Sequence, residues 1–259
     1  MRHFRILYRY FIHWVTARNT KGYGVHSPFL FYFVRTVLRE TAGYYAFDVI
    51  EGLRNRLLVD KSLVKIKDFG TGKDREETIA QIASKSLCSP LEGQLLFRMV
   101  NYFKPKVILE LGTSLGISTA YMASVNSNSL CYSLEGSSSL VSKAAEHLKL
   151  LRLNNVVQVE GNITENLETV LSELAAVDFV YVDANHQYDA VVDYFEKCLL
   201  KSHEETVFVL DDIYWSQGME KAWEYVKNHP SVVSTIDVFY FGIVFLKKDL
   251  PPKHYKVRC

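Results

Sequence analysis

The stretch VILELGTSLGISTAYMA, Val107 to Ala123, reads as a short apolar strand, a turn with two glycines, and the start of a helix. Gly112 and Gly116 stand where a Cβ would block either a tight backbone turn or the approach of a ligand. The spacing runs E-x-G-x-x-x-G from Glu110 through Gly112 to Gly116, whereas a dinucleotide pyrophosphate favours G-x-G-x-x-G. A strand, turn and helix in this order begin an α/β layer fold.

Downstream, short β-branched runs alternate with longer helical patterns, the signature of βαβ units on a parallel sheet. The runs are Lys106 to Leu111, Leu130 to Leu134, Val156 to Glu160, Asp178 to Val182 and Thr206 to Leu210. Their nearly continuous apolar character suits strands covered on both faces. Helical spacing falls between and after them, at Ser118 to Ser124, Ser139 to Leu151, Glu165 to Leu174, Tyr188 to Leu200 and Ser216 to Asn228. Two last runs, Val233 to Phe239 and Gly242 to Lys247, lie too close for a crossover helix and are expected to pair antiparallel. This gives a mostly parallel seven-stranded sheet that ends in a hairpin.

Upstream of Ser89-Pro90 the pattern changes to helices and turns: Arg2 to Ala17, Pro28 to Glu40, Tyr45 to Leu58 and Glu76 to Ser86, broken by Gly22, Gly24, Gly43 and a Gly70-Thr-Gly72 turn. Lys61 to Thr71 reads as either an extended connection or an unassigned segment. The expected organisation is a helical extension over 1–88, acting as lid or interface, and a cofactor-binding domain over 89–259.

The chain is near neutral, with 30 Lys and Arg against 29 Asp and Glu, and 48% of its residues are hydrophobic, as in an ordinary globular protein. Cys88, Cys131, Cys198 and Cys259 lie far apart with no zinc or disulfide spacing, which points to reduced thiols and a cytoplasmic setting. No segment has the twenty or so apolar residues of a membrane span, nor a signal peptide's unbroken apolar core. The first 39 residues are locally basic, holding Arg2, Arg5, Arg9, Arg18, Lys21, Arg35 and Arg39 with no acidic residue before Glu40. In the first helix, Phe4, Leu7, Tyr8, Phe11, Trp14 and Val15 form an apolar stripe beside an arginine-bearing face. The expectation is that this stripe packs on the core or on a second subunit in a homodimer; peripheral membrane contact is the alternative. Near-neutral charge speaks against a nucleic-acid partner.

Adenosylmethionine suits the glycine loop better than a dinucleotide does, because it has no phosphate but carries an ammonium and a carboxylate. Glu110 would serve the ammonium, and Thr113 and Ser114 the carboxylate. Glu135 ends the next strand about twenty residues on, where an acidic side chain accepts from both ribose hydroxyls. Gly161-Asn162 follows the third strand, where an adenine-recognising side chain would lie. Each residue also has a plainer reading, as turn glycine, ion-pair partner or strand terminus; all four positions in order favour the cofactor.

Asp183-Ala-Asn-His186 and Asp211-Asp212 end the fourth and fifth strands, bordering the crevice where open α/β sheets bind ligands. Three converging carboxylates repel one another unless a cation or protons are shared. Mg²⁺ or another divalent ion would relieve this, with Asp183, Asp211 and Asp212 as ligands, and would orient and acidify an acceptor hydroxyl. His186 is then the general base, with Asp183 beside it and also facing the cofactor. Tyr188, Tyr214 and Trp215 are candidates to line an acceptor pocket. Equally, Asp212 reads as a turn cap and His186 as a polar residue opening the next helix.

The motifs ELGTSLGIST, YSLEG, FVYVDANH and VLDDIYWS, at successive strand ends, resemble those of the class I S-adenosylmethionine-dependent O-methyltransferase superfamily. Within it the chain is similar to the metal-dependent small-molecule branch of catechol and macrolide-sugar O-methyltransferases. The resemblance covers roughly Ser89 to Lys248, including SPLEGQLLF. It implies a Rossmann-like fold, metal ligands at Asp183, Asp211 and Asp212, and a base at His186 like that of the sugar enzymes. Catechol-type enzymes usually have Asp-Asn where this chain has Asp211-Asp212, and a lysine base, so the resemblance does not extend to a catechol acceptor. The segment YGVHSPFLF resembles bacterial methyltransferase-like proteins and carries no function over. The leading expectation is methyl transfer to a hydroxyl oxygen of a small molecule. Metal-independent N-methylation and a noncatalytic cofactor-binding or assembly protein are the alternatives.

Overall fold

A computed structural model describes residues 2–67 and 74–259, with side chains from Phe4 onward. In chain order its elements are α1 (Arg2–Thr16), α2 (Pro28–Thr36), α3 (Tyr45–Leu57), β1 (Leu63–Ile66), β2 (Arg75–Thr78), α4 (Ile79–Ser86), α5 (Pro90–Phe103), β3 (Val107–Leu111), α6 (Ile117–Ala123) and β4 (Leu130–Glu135). There follow α7 (Ser138–Leu150), β5 (Val156–Glu160), α8 (Ile163–Glu173), β6 (Val177–Val182), α9 (Tyr188–Leu199), β7 (Ser202–Asp211), α10 (Gln217–Lys227), β8 (Ser234–Asp237), β9 (Phe241–Phe245) and β10 (Lys253–Lys256). The expected Gly70-Thr-Gly72 turn lies outside the described residues.

The main sheet has the strand order β10-β8-β9-β7-β6-β3-β4-β5. It is the expected mostly parallel α/β sheet with an antiparallel β8–β9 hairpin, plus one strand. The addition is β10, which pairs parallel with β8. Its sequence, KHYK after two prolines, gives little strand signal. Its inward Tyr255 is buried while lysines stand on an edge, as edge strands tolerate.

The chain divides into two compact units, Ala42–Glu173 and Met1–Thr41 with Leu174–Cys259. The expected N-terminal extension is thus split between them. In the first unit β3, β4 and β5 pair in parallel, with Glu110 opposite Ser133 and Glu135 opposite Glu160. Helix α5 starts at a capping box in which Ser89 Oγ accepts from the Glu92 N–H while the Glu92 carboxylate accepts from the Ser89 N–H, and Pro90 takes the first turn. Gly93 lets α5 lie against α6: a Cβ there would stand 2.4 Å from the Tyr121 ring. Phe47, Phe97 and Tyr121 pack together in the core, and the Tyr121 hydroxyl donates to Glu51 at 2.7 Å.

The helix expected from Glu76 begins only at Ile79. Arg75–Thr78 instead pairs antiparallel with β1, placing Glu76 opposite Lys65, and Thr78 then caps α4. A cross-strand pair of opposite charge favours this hairpin, and local helical spacing does not reveal it.

In the second unit β6 and β7 are parallel, and β9 joins β7 antiparallel. Phe33 of α2 packs edge-on against Phe245 of β9. Helix α1 does not pack its apolar stripe on the core, the first of the two packings expected for it. Arg5 and Arg9 ion-pair with Glu220 of α10, and His13 is buried against Asp237 of β8 at 3.1 Å. The apolar stripe faces outward.

Candidate active site

In the first unit, β3 ends at Leu111 and the chain turns through Gly112 at φ 106°, Ser114 at φ 48° and Gly116 at φ 81° into α6. These positive values explain the glycines, and a Cβ on Gly116 would also press on Ala144 of α7 at 3.2 Å. The Gly112 N–H donates to the Leu134 carbonyl at 2.9 Å, tying the turn to the end of β4. From that strand end, the Glu135 carboxylate accepts from the Ser114 N–H and from the Ser137 N–H, each at 2.9 Å. The loop therefore carries an acidic side chain at its rim.

Glu110 is placed differently from expectation. Its carboxylate is fully buried and accepts three hydroxyls, from Ser118 at 2.6 Å and from Thr119 and Ser133 at 2.5 Å. Burial pushes its pKa up to about 7, against the pull of those hydroxyls. It holds β3, β4 and α6 together beneath the loop and is not open to an ammonium. Thr113 is buried too, its hydroxyl 2.5 Å from that of Ser133. The hydroxyl partners were missed by motif reading. The signal for Ser133 was its strand register with Glu110, and for Ser118 and Thr119 their place in the helix that follows.

Gly161 adopts φ 123° and donates its N–H to the Glu135 carbonyl. Asn162 turns its side chain inward on the chain: Oδ1 accepts from the Thr164 N–H at 3.1 Å and Nδ2 donates to Glu165 at 2.8 Å. Asn162 thus opens α8 as an Asx cap, which takes up the amide expected to read adenine.

In the second unit the register pairs Val182 with Leu210, so Asp183 and Asp211 leave neighbouring strands side by side. The buried Tyr181 hydroxyl lies 3.0 Å from Asp211 Oδ2 and 3.4 Å from Asp183 Oδ2. Tyr181 precedes Asp183 by two, the same-face spacing of a strand, which is the signal that could have found it. Asp183 Oδ1 stands 3.4 Å from Nε2 of His186, and both side chains are partly exposed. Asn185 and His186 both have positive φ, 62° and 33°, in a tight turn closed by the His186 N–H on the Ala184 carbonyl. Asp212 is left-handed as well, at φ 51°, and its N–H donates to Asp211 Oδ1. Strained backbone at consecutive strand ends is characteristic of functional sites.

Asp183, Asp211 and Asp212 are not gathered as a ligand set. Among the described residues, no three His, Cys, Asp or Glu side chains group so as to hold a metal ion. The arrangement instead links imidazole, carboxylate, phenol and carboxylate in sequence. Of the aromatic candidates, Tyr214 is a packing residue, since its hydroxyl donates to Asp237 at 2.5 Å and its ring stacks on Phe239.

The sheet order and glycine loop define a class I methyltransferase fold. Residues 109–213, from β3 to the turn after β7, match the protein family described as a methyltransferase domain, and this span contains every site residue named above. No curated protein matches the chain. Solved structures with the same fold include an SAH-bound methyltransferase, PaMTH1, of Podospora anserina (18% identity, TM-score 0.62, 82% of this chain and 91% of that one). Others are an O-methyltransferase of Bacillus cereus in complex with SAH (19%, 0.58, 80% and 93%) and the SAM-bound O-methyltransferase TomG of Streptomyces achromogenes (17%, 0.58, 84% and 95%).

Proposed function

We propose that the protein transfers a methyl group from S-adenosylmethionine to a hydroxyl oxygen of a small molecule, with His186 taking the acceptor's proton. The observation that carries the reading is the loop 112–116, with its positive-φ glycines and the Glu135 carboxylate at its rim. The SAH and SAM complexes of the structural relatives, and the role of TomG in tomaymycin synthesis, support the donor and the acceptor class.

When bound, the donor supplies an electrophilic methyl on a sulfonium. As the acceptor oxygen takes the methyl and sulfur keeps the electron pair of its broken bond, the acceptor's proton would pass to His186 Nδ1, since Nε2 faces Asp183. Asp183 stabilises the imidazolium so formed, and the Tyr181 hydroxyl, nearer Asp211 than Asp183, stands beside both carboxylates. Glu135, at the rim of the loop, would accept from the ribose hydroxyls. The three aspartates do not fit a metal as they stand, so metal assistance has no part in this proposal.

Calorimetric titration with S-adenosylhomocysteine tests the donor: the wild type binds, and Gly112→Val does not. Absence of wild-type binding would refute the reading. In an acceptor screen, His186→Gln lowers kcat by roughly 10²- to 10⁴-fold while leaving SAH affinity unchanged. Chelator leaves wild-type turnover intact, and loss of turnover on chelation would return the aspartates to a metal role.

A further inference from the structure

Helix α1 has its amphipathic faces reversed relative to its own unit. Arg5, Arg9 and His13 are used inward on Glu220 and Asp237, while Phe4, Leu7, Tyr8, Phe11, Trp14 and Val15 are 50% to 78% exposed. Six large apolar side chains along one helical stripe form a contiguous patch, which a soluble surface rarely leaves uncovered.

The rim of that patch is cationic. The Trp14 ring lies under the Arg258 guanidinium at 4.9 Å, and the Arg258 N–H donates to Thr20 Oγ1 at 3.0 Å. The Thr20 carbonyl in turn accepts from Arg39 at 3.4 Å. Arg39, Lys21 and Arg35 line a recess of about 400 Å³ together with the exposed Tyr23 and Phe31. Among the described residues, none of Lys21, Arg35, Arg39 and Arg258 has a carboxylate partner, in a segment whose first acidic residue is Glu40.

We infer that this face docks on an anionic membrane surface, α1 lying in the interface plane and the cations meeting lipid phosphates. The pattern of an apolar stripe with Trp and Tyr, flanked by unpaired cations, is that of an interfacial helix. Charge selects this occupant over the others. A second copy meeting the patch about a two-fold axis would bring like cations together. A nucleic-acid strand would want cations interleaved with the aromatics, whereas the centre of this stripe, Leu7 and Phe11, is purely apolar. No helix among the described residues is long and apolar enough to cross a membrane, so contact is peripheral.

The test is flotation of the full chain with phosphatidylcholine vesicles, with and without phosphatidylglycerol. The wild type floats with the anionic vesicles, and brominated lipid quenches a fluorescence component that Trp14→Phe removes. Reversing Lys21, Arg35 and Arg39 to Glu weakens association roughly a hundredfold, as does Leu7→Glu with Phe11→Glu. These side chains are exposed, so both variants keep the wild-type melting temperature; the quenching experiment stands without them. Failure of the wild type to float overturns the inference. So does a wild-type dimer that Leu7→Glu with Phe11→Glu dissociates, or binding to single-stranded RNA without binding to vesicles.

Discussion

Glu110 has no exposed surface, and three hydroxyls from two elements close on its carboxylate. Its pKa of about 7 in the fold stands above the ordinary 4.5, so the native protein keeps a proton that the unfolded chain has released. The sign follows from linkage: the stabilisation is complete below about pH 4.5 and is lost as pH rises through 7, on the order of 3 kcal/mol in all. Glu110→Gln cannot ionise and is expected to remove that slope, while losing some stability to poorer acceptance of the hydroxyls. Chemical denaturation between pH 4 and 8 reads both effects. An unchanged slope in the variant would mean that Glu110 is ionised throughout and that the hydroxyls outweigh its burial.

At the scale of elements, the contact between α5 and α6 depends on one missing side chain. Any Cβ at Gly93 meets the Tyr121 ring at 2.4 Å, and that ring is held in place by Phe47 and by the hydroxyl bond to Glu51. Gly93→Ala is expected to destabilise the protein by about 1–3 kcal/mol, as overpacking does. Pairing it with Tyr121→Ala should recover part of that loss, which a double-mutant cycle in urea would detect; strictly additive effects would argue against the clash. Neither residue stood out in the sequence, because Gly93 sits in an ordinary helical pattern. What was legible was the alternation from Lys106 to Lys247, since parallel strands covered on both faces need long apolar runs. The β1–β2 hairpin and β10 were not, being four residues each and rich in charge, with pairing partners that no local window contains. The turn at the loop glycines and the placement of Asp183, His186 and Asp211 at strand ends were readable from spacing. The burial of Glu110, the capping role of Asn162 and the Tyr181 link were not, because each depends on a neighbour supplied by the fold.

Over the whole molecule, the apolar stripe on α1 is legible in the sequence but its direction is not, because the inward partners of Arg9 and His13, Glu220 and Asp237, lie more than 200 residues away. Those contacts join the two ends of the chain within one unit. Asp237 is buried, which by itself raises a carboxyl pKa, yet hydrogen bonds from His13, Tyr214 and the Phe239 N–H hold it below the ordinary value. A depressed pKa contributes stability that is present above about pH 4 and lost as pH falls through the native value. His13→Ala leaves a buried carboxylate short of a partner and is expected to cost about 3–5 kcal/mol at neutral pH. Asp237→Asn also destabilises, but it removes the acid-sensitive part contributed by this site. Melting temperature recorded from pH 2 to 7 separates the two: His13→Ala loses most of its deficit at the acid end, where Asp237 is protonated and needs less support, whereas Asp237→Asn runs parallel to a flatter curve. If His13→Ala melted with wild type at neutral pH, the His13 contact would be incidental to folding, and α1 would be held by its other contacts, the Glu220 ion pairs and the Arg5 bond to the Tyr214 carbonyl among them.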